Sequence, residues 1–319
     1  MRIYLIATSM LVSHIIQVDW HDTPNNVKLI NMKYTKWLEK QNFNAKSKTI
    51  IVTGANSGIG YYSSLYFAHL GANVIMACRN VDKANSAKEK ILKEIPTASI
   101  NIEIVDLSSK TSISSFVKEI KQKYATIDIL VNNAGVYMPS QEKTADGYNM
   151  TIGTNFLGTC FLTECLKPMF KNNGRIVFVT SLTDIFSKFN SHDPLGNKSK
   201  SKNSDYGKSK LYISCYAHVL ASDLLIKSKN TTIATTHPGI TATNLLSTSK
   251  TSFSKAFAWA GYHFLKIFMH SAEKASLGIV FASLKDSLSP NPRIAPRGLF
   301  GISGYPKIKK TPRKIKKQA

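Results

Sequence analysis

A chain of 319 residues with 43% hydrophobic content can bury one substantial core, so one domain of about 270 residues with added ends is the natural reading. The four cysteines (Cys78, Cys160, Cys165, Cys215) lack Cys-x-x-Cys spacing, and the eight histidines form no His-Glu-x-x-His or His-x-x-x-His pair, which argues against a disulfide framework and a metal site. The formal charge of +23 rests on 36 lysines against 6 arginines, without interleaved stacking aromatics; it reads as a lysine-rich solvated surface in preference to a nucleic-acid interface, with the C-terminal basic run left open as an exception.

An apolar run from Ile3 to Val18 follows Arg2, interrupted by His14 and Gln17. Its length falls short of the about 20 residues of a comfortable span, so three readings stand: a membrane anchor, which leads, a signal-peptide core and a docked helix. Residues 1–20 are set apart as this apolar segment, and residues 21–46, with the aromatic pair Tyr34 and Trp37, as a linker or entry helix. Residues 47–305 make the main domain. Residues 306–319 are a basic tail with seven cations and no acid.

Ile50, Ile51 and Val52 predict a short buried strand, followed by glycines at 54, 58 and 60 and a helix over 61–70. That order sets the free N–H groups of the first helical turn towards an anion. Gly54 permits a tight turn, Gly58 lets the backbone approach a pyrophosphate, and Gly60 lets helix and strand pack closely. The alternation continues with strands over 73–78, 100–105, 127–131, 175–181 and 231–236, and helices over 81–94, 110–124, 146–170, 206–226 and 271–284. A last strand is expected over 298–302, and the polar insert 189–204 is expected to be a surface loop. Such alternation means βαβ units: an α/β fold with a doubly wound, mostly parallel sheet in a single Rossmann-type domain, its ligands beyond the carboxyl ends of the strands.

The strand ends carry the chemistry. After the second strand stands Cys78-Arg79-Asn80, with no acid to hold a ribose. A cation there favours the 2′-phosphate of NADP(H), although a solvated strand-end arginine looks the same. The fourth strand runs into Asn132-Asn133-Ala134-Gly135, and the fifth delivers Ser181. Tyr206 and Lys210, four apart on a helix, share a face. Tyr262/Lys266 and Tyr305/Lys309 have the same spacing, but only Tyr206/Lys210 follows a serine-tipped strand. An ammonium beside a phenol stabilises the phenolate, so Lys210 is expected to lower the pKa of Tyr206 towards the working pH. Ser181 can donate a hydrogen bond to a carbonyl oxygen as charge builds on it.

Thr53-Gly54-x-x-x-Gly58-Ile59-Gly60, Asn132-Asn133-Ala134-Gly135, Ser181 and Tyr206-x-x-x-Lys210, in that order, resemble the short-chain dehydrogenase/reductase family over about residues 47–305. The run Ala77-Cys78-Arg79-Asn80, the apolar N-terminal segment and the 25 residues between Ser181 and Tyr206 are similar to its retinol-dehydrogenase-like branch. The resemblance implies an NADP(H)-dependent oxidoreductase that interconverts an alcohol and a carbonyl, with Asn155, Ser181, Tyr206 and Lys210 as its catalytic set. Asn155 would hold a proton-relaying water, and Lys210 would also grip the nicotinamide ribose. Gly54, Asn56, Ser57, Gly58, Ile59, Gly60, Arg79, Asp106, Asn133, Ala134, Gly135, Tyr206, Lys210, Pro238, Gly239, Thr241 and Thr243 would contact the cofactor. Asp106 would meet the adenine amine or serve only as a helix cap.

The aromatic segment 244–270 reads as packing more readily than as a pocket, and both readings stand; it falls where the family places its substrate lid, and as a lid it favours a bulky apolar substrate: a retinoid, a steroid or a lipid aldehyde. The partners implied are that small molecule, a membrane surface and, left open, a second copy of the chain in a homodimer. The expected location is membrane-associated, of endoplasmic-reticulum type, with the catalytic domain in a reducing compartment; a cytoplasmic location is the alternative. The competing class, a non-catalytic Rossmann scaffold, is disfavoured by the complete set of Asn155, Ser181, Tyr206 and Lys210.

Overall fold

Neighbouring residues of each central strand face opposite cores, which is why the strands read as unbroken apolar runs. The computed structural model describes residues 32–137, 139–199, 201–239 and 271–319. Ile50 and Val52 of β1 (Thr49–Thr53) join one core together with Val74 and Met76 of β2 (Asn73–Cys78). Ile51 and Ile75 join the other. The first core is covered by the helices Gly58–His69, Val81–Glu94 and Ala272–Leu284. The second is covered by Lys110–Lys123, Thr159–Leu166 and Lys202–Leu220.

The remaining strands are β3 (Ser99–Ile104), β4 (Ile127–Asn132), β5 (Phe170–Val179), β6 (Thr232–Thr236), β7 (Arg293–Pro296) and β8 (Pro306–Lys309). They lie in the order β3-β2-β1-β4-β5-β6-β7-β8, parallel throughout except for β8, which runs antiparallel to β7. The order reverses between β1 and β4, whose register runs from Ile50↔Ile129 to Val52↔Val131. A crevice beyond the carboxyl ends at that reversal is where such a sheet binds ligands.

Three expectations need correction. The single helix over 146–170 is instead Met150–Ile152, a π-helical turn at Gly153–Gly158 and then Thr159–Leu166. Asn149 caps its start by accepting from the N–H groups of Thr151 and Ile152, and Pro168 follows its end. The last strand does not lie over 298–302, where Leu299–Gly301 is one 3₁₀ turn; β7 and β8 flank that turn. Residues 306–319 are not a loose tail. β8 extends the sheet, and the helix Arg313–Gln318 buries Ile315 against Ile152, Leu211 and Tyr212.

The entry segment is docked rather than only linking. On the helix Met32–Lys40, Trp37 stacks on Tyr305 at 5.3 Å and 19°. Phe43 meets Phe281 edge-on at 6.1 Å. The apolar run over 3–18 and the aromatic segment over 244–270 lie outside the described residues. Among the described residues, no helix is long and apolar enough to cross a membrane.

Candidate active site

The glycine loop and the Asn-Asn-Ala-Gly loop leave adjacent strands and are tied together by one hydroxyl. Thr53 Oγ1 accepts the N–H groups of Asn133 and Ala134, each at 3.0 Å, and donates to the Val131 carbonyl at 3.3 Å. Asn133 Nδ2 returns a bond to the Thr53 carbonyl at 2.8 Å. Gly54 (φ 65°) and Gly58 (φ 55°) occupy the left-handed region, where a side chain is strained. A Cβ at Gly60 would overlap the Gly54 carbonyl oxygen and Asn133 Nδ2, whereas one at Gly58 would meet nothing. The loop is therefore packed tightly behind and open in front. Ser57, the N-cap of Gly58–His69, makes no side-chain capping bond, so the first N–H groups of that helix face the opening.

That opening is a cleft of about 1000 Å³. Its walls include Gly54, Asn56, Ser57, Gly58, Ile59, Gly60, Arg79, Asp106, Asn133, Ala134 and Gly135, together with Ser181, Tyr206, Lys210, Pro238 and Gly239. All are residues the sequence marks. Arg79 is exposed just past β2. Asp106 serves its own turn: Oδ1 accepts from the Ser108 N–H at 2.8 Å and hydroxyl at 2.7 Å, while Ser109 caps the next helix. Thr241 and Thr243 lie outside the described residues. A glycine cradle without a side-chain cap, opening on a cleft of this size, fits a nicotinamide dinucleotide.

Asn155 does not line the cleft. It sits in the π-helical turn, buried behind Gly135, with both amide ends engaged. Oδ1 accepts the Val136 N–H at 2.7 Å; Nδ2 donates to the Val136 carbonyl at 3.0 Å and to Ser209 Oγ at 3.1 Å. Its side chain braces the strand-end loop. The π turn brings it there, and Gly158 in that turn passes so close to the Leu107 carbonyl that a Cβ would overlap it.

Ser181 lies two residues past β5. Its Oγ accepts the Thr183 N–H at 3.3 Å. The helix carrying Tyr206 and Lys210 starts at Lys202, earlier than expected, with Ser201 Oγ capping Ser204. The Tyr206 hydroxyl is hydrogen-bonded to Ser181, and Tyr137 sets its ring edge against Tyr206 at 5.0 Å and 83°. Lys210 Nζ donates to the Val179 carbonyl at 2.9 Å and stands 5.8 Å from the Tyr206 ring centre.

The expected lowering of the phenol is not what these surroundings produce. Burial pushes Tyr206 up to about 12, with the Ser181 hydrogen bond opposing and Tyr137 and Asp184 adding to the rise. Lys210 comes down to about 8, because burial penalises its charge more than Asp184 favours it. At neutral pH the site thus holds a neutral phenol and a lysine near its titration point. Proton donation to a developing alkoxide suits that pairing.

Sequence reasoning missed Asp184 and Arg293. Asp184 is fully buried in the turn Thr183–Phe186, and Arg293 on β7 forks both of its carboxylate oxygens at 2.9 Å. No local pattern links residues 109 positions apart. Tyr137, which also reaches Asn203 Oδ1 at 3.2 Å, was missed for the same reason.

The short chain dehydrogenase family profile matches residues 48–252. Mouse retinol dehydrogenase 14 is 35% identical over 210 residues, a match that covers 62% of each chain. The mouse protein retinol dehydrogenase 11 is 32% identical over 266 residues, 82% of each. A crystal structure of an uncharacterized Mycobacterium paratuberculosis protein superposes with a TM-score of 0.69 at 25% identity, covering 86% of this chain and 90% of that one. The chain belongs to the short-chain dehydrogenase family. Its relatives place it in the retinol-dehydrogenase-like branch, although its match spans only 62% of the length of the first of them.

Proposed function

We propose that the protein is an NADP(H)-dependent oxidoreductase that interconverts an alcohol and a carbonyl on a bulky apolar substrate. The observation that carries this reading is the convergence of Ser181, Tyr206 and Lys210 on the cleft that also holds the glycine cradle. The nicotinamide supplies or takes the hydride. Arg79 holds the 2′-phosphate, and the N–H groups after Ser57 hold the pyrophosphate. Ser181 donates a hydrogen bond to the substrate oxygen, Tyr206 Oη gives it a proton, and the Lys210 ammonium steadies the phenolate left behind. Asn155 keeps Val136, and with it the floor beside Lys210, in place.

A phenol that stays protonated at neutral pH suits the proton donation that carbonyl reduction requires. The apolar substrate class is supported by Val136, Leu182, Ile185, Phe186 and Ile302 on the cleft wall, and by the relatives named for retinol. NADPH with a panel of retinal, steroid ketones and aliphatic aldehydes, followed by loss of nicotinamide absorbance, tests it. Turnover confined to small polar carbonyls would overturn the substrate class. Attachment to an endoplasmic-reticulum-type membrane through residues 1–20 belongs to the same reading. It is checked by fractionating cells that express the chain with and without them.

A further inference from the structure

The buried ion pair behind the cleft joins three elements that the chain leaves far apart. Asp184 follows Ser181 by three residues, and its N–H donates to the Ser181 carbonyl at 3.2 Å. Its carboxylate takes both guanidinium nitrogens of Arg293 and, at 2.7 Å, the hydroxyl of Ser214. Ser214 lies one turn beyond Lys210 on the same helix face. Asp184, Arg293 and Ser214 are each at most 3% exposed. A fully desolvated pair of this kind is seldom needed for stability alone, since apolar residues of similar volume serve as well.

We propose that Asp184, held between Arg293 and Ser214, is a positioning residue for the reaction: it locks the Ser181 turn against the Tyr206–Lys210 helix and stands as the negative charge behind Lys210. This rests on the functional reading above. The ionisable groups facing the pair are few. Lys210 and Tyr206 lie on the helix, with Tyr137 in front of Tyr206. Cys215, also on the helix, has a thiol that burial pushes up to about 11. Asp184 favours the charged form of Lys210 and the neutral form of Tyr206, the two forms that carbonyl reduction uses.

The sign of the effect follows. Reduction needs Lys210 charged, so kcat/KM should fall as pH rises through the Lys210 pKa of about 8. Asp184→Asn removes the charge that holds this pKa up and leaves Arg293 opposing it. The break should therefore move to lower pH by about one unit or more. Arg293→Lys keeps the charge balance but not the fork: kcat should drop while the break stays where it was. A merely structural role would lower stability and rate in both variants and leave both breaks in place.

The experiment is the pH profile of NADPH-dependent carbonyl reduction by the full chain, in wild type, Asp184→Asn and Arg293→Lys. A turnover-free readout accompanies it: tyrosinate absorbance against pH, with Tyr206→Phe subtracted, should rise at lower pH in Asp184→Asn than in wild type. Should Asp184→Asn fail to fold, Asp184→Asn combined with Arg293→Gln removes both charges; the break should still move to lower pH, by less, because the supporting carboxylate is gone but no guanidinium is left opposing Lys210. An unmoved break with an unmoved phenol titration overturns the proposal, and so does failure of both variants to fold, which would mark the pair as a folding element. Absence of carbonyl turnover in wild type would instead overturn the functional reading.

Discussion

The half of the molecule built on β1 to β4 and the half built on β5 to β8 are equally part of one sheet, yet they are held together differently. In the first, each ligand-facing loop follows its own strand, and Thr53 ties the two loops across a single strand pair. In the second, the Ser181 turn depends on Arg293 from β7, on Ser214 from the following helix and, through the Lys314 Nζ bond to the Ile185 carbonyl at 2.8 Å, on the last helix of the chain. One half joins two loops through a single hydroxyl on neighbouring strands, and the other holds one turn through side chains from three separate elements. Substitutions should separate the two.

The largest effect is expected where the first half is tightest. Gly60→Val puts a branched side chain into the Gly54 carbonyl, so it should cost about 3 kcal/mol or more and abolish NADPH binding. Thermal unfolding and a cofactor fluorescence titration measure both, and retained binding would mean the loop has slack that its packing denies. Next comes the second half. Ile315→Ala empties a fully buried site and should weaken docking of Arg313–Gln318 by about 2–4 kcal/mol. Hydrogen exchange over 306–318 would report it, with unchanged protection the contrary result. A smaller effect is expected at Arg79. Arg79→Asp should lower the preference for NADPH over NADH about ten- to hundredfold, the worth of one charge-assisted contact to phosphate. An unaltered ratio of kcat/KM values would remove that role from Arg79.

The same contrast explains what the sequence made legible. Gly54-Gly58-Gly60, Asn132-Asn133-Ala134-Gly135 and Tyr206/Lys210 are three signals, each contained within a few residues, and each has members on the cleft wall. The C-terminal strands were not legible. Arg293-Ile-Ala-Pro296 contains a buried arginine whose partner is 109 residues away, so it looks like a polar loop. Pro306-Lys-Ile-Lys309 is an edge strand, and proline with outward lysines is how an edge resists further pairing; it therefore reads as a solvated tail. Asn155 was found by resemblance, but its brace-like role depends on a π turn that no residue pattern in Gly153–Gly158 announces. The phenol went against expectation because burial, invisible in a four-residue spacing, pushes it up further than the Ser181 hydrogen bond brings it down.

The central claim is that the hydroxyl of Tyr206 passes the proton while the cofactor site stands independently of it. The most direct test is Tyr206→Phe, followed in parallel by carbonyl-dependent NADPH oxidation and by NADPH binding. Turnover should fall about 100- to 10,000-fold, the usual worth of a positioned general acid, with cofactor affinity nearly unchanged. Turnover that survives the loss of that single oxygen would contradict the account.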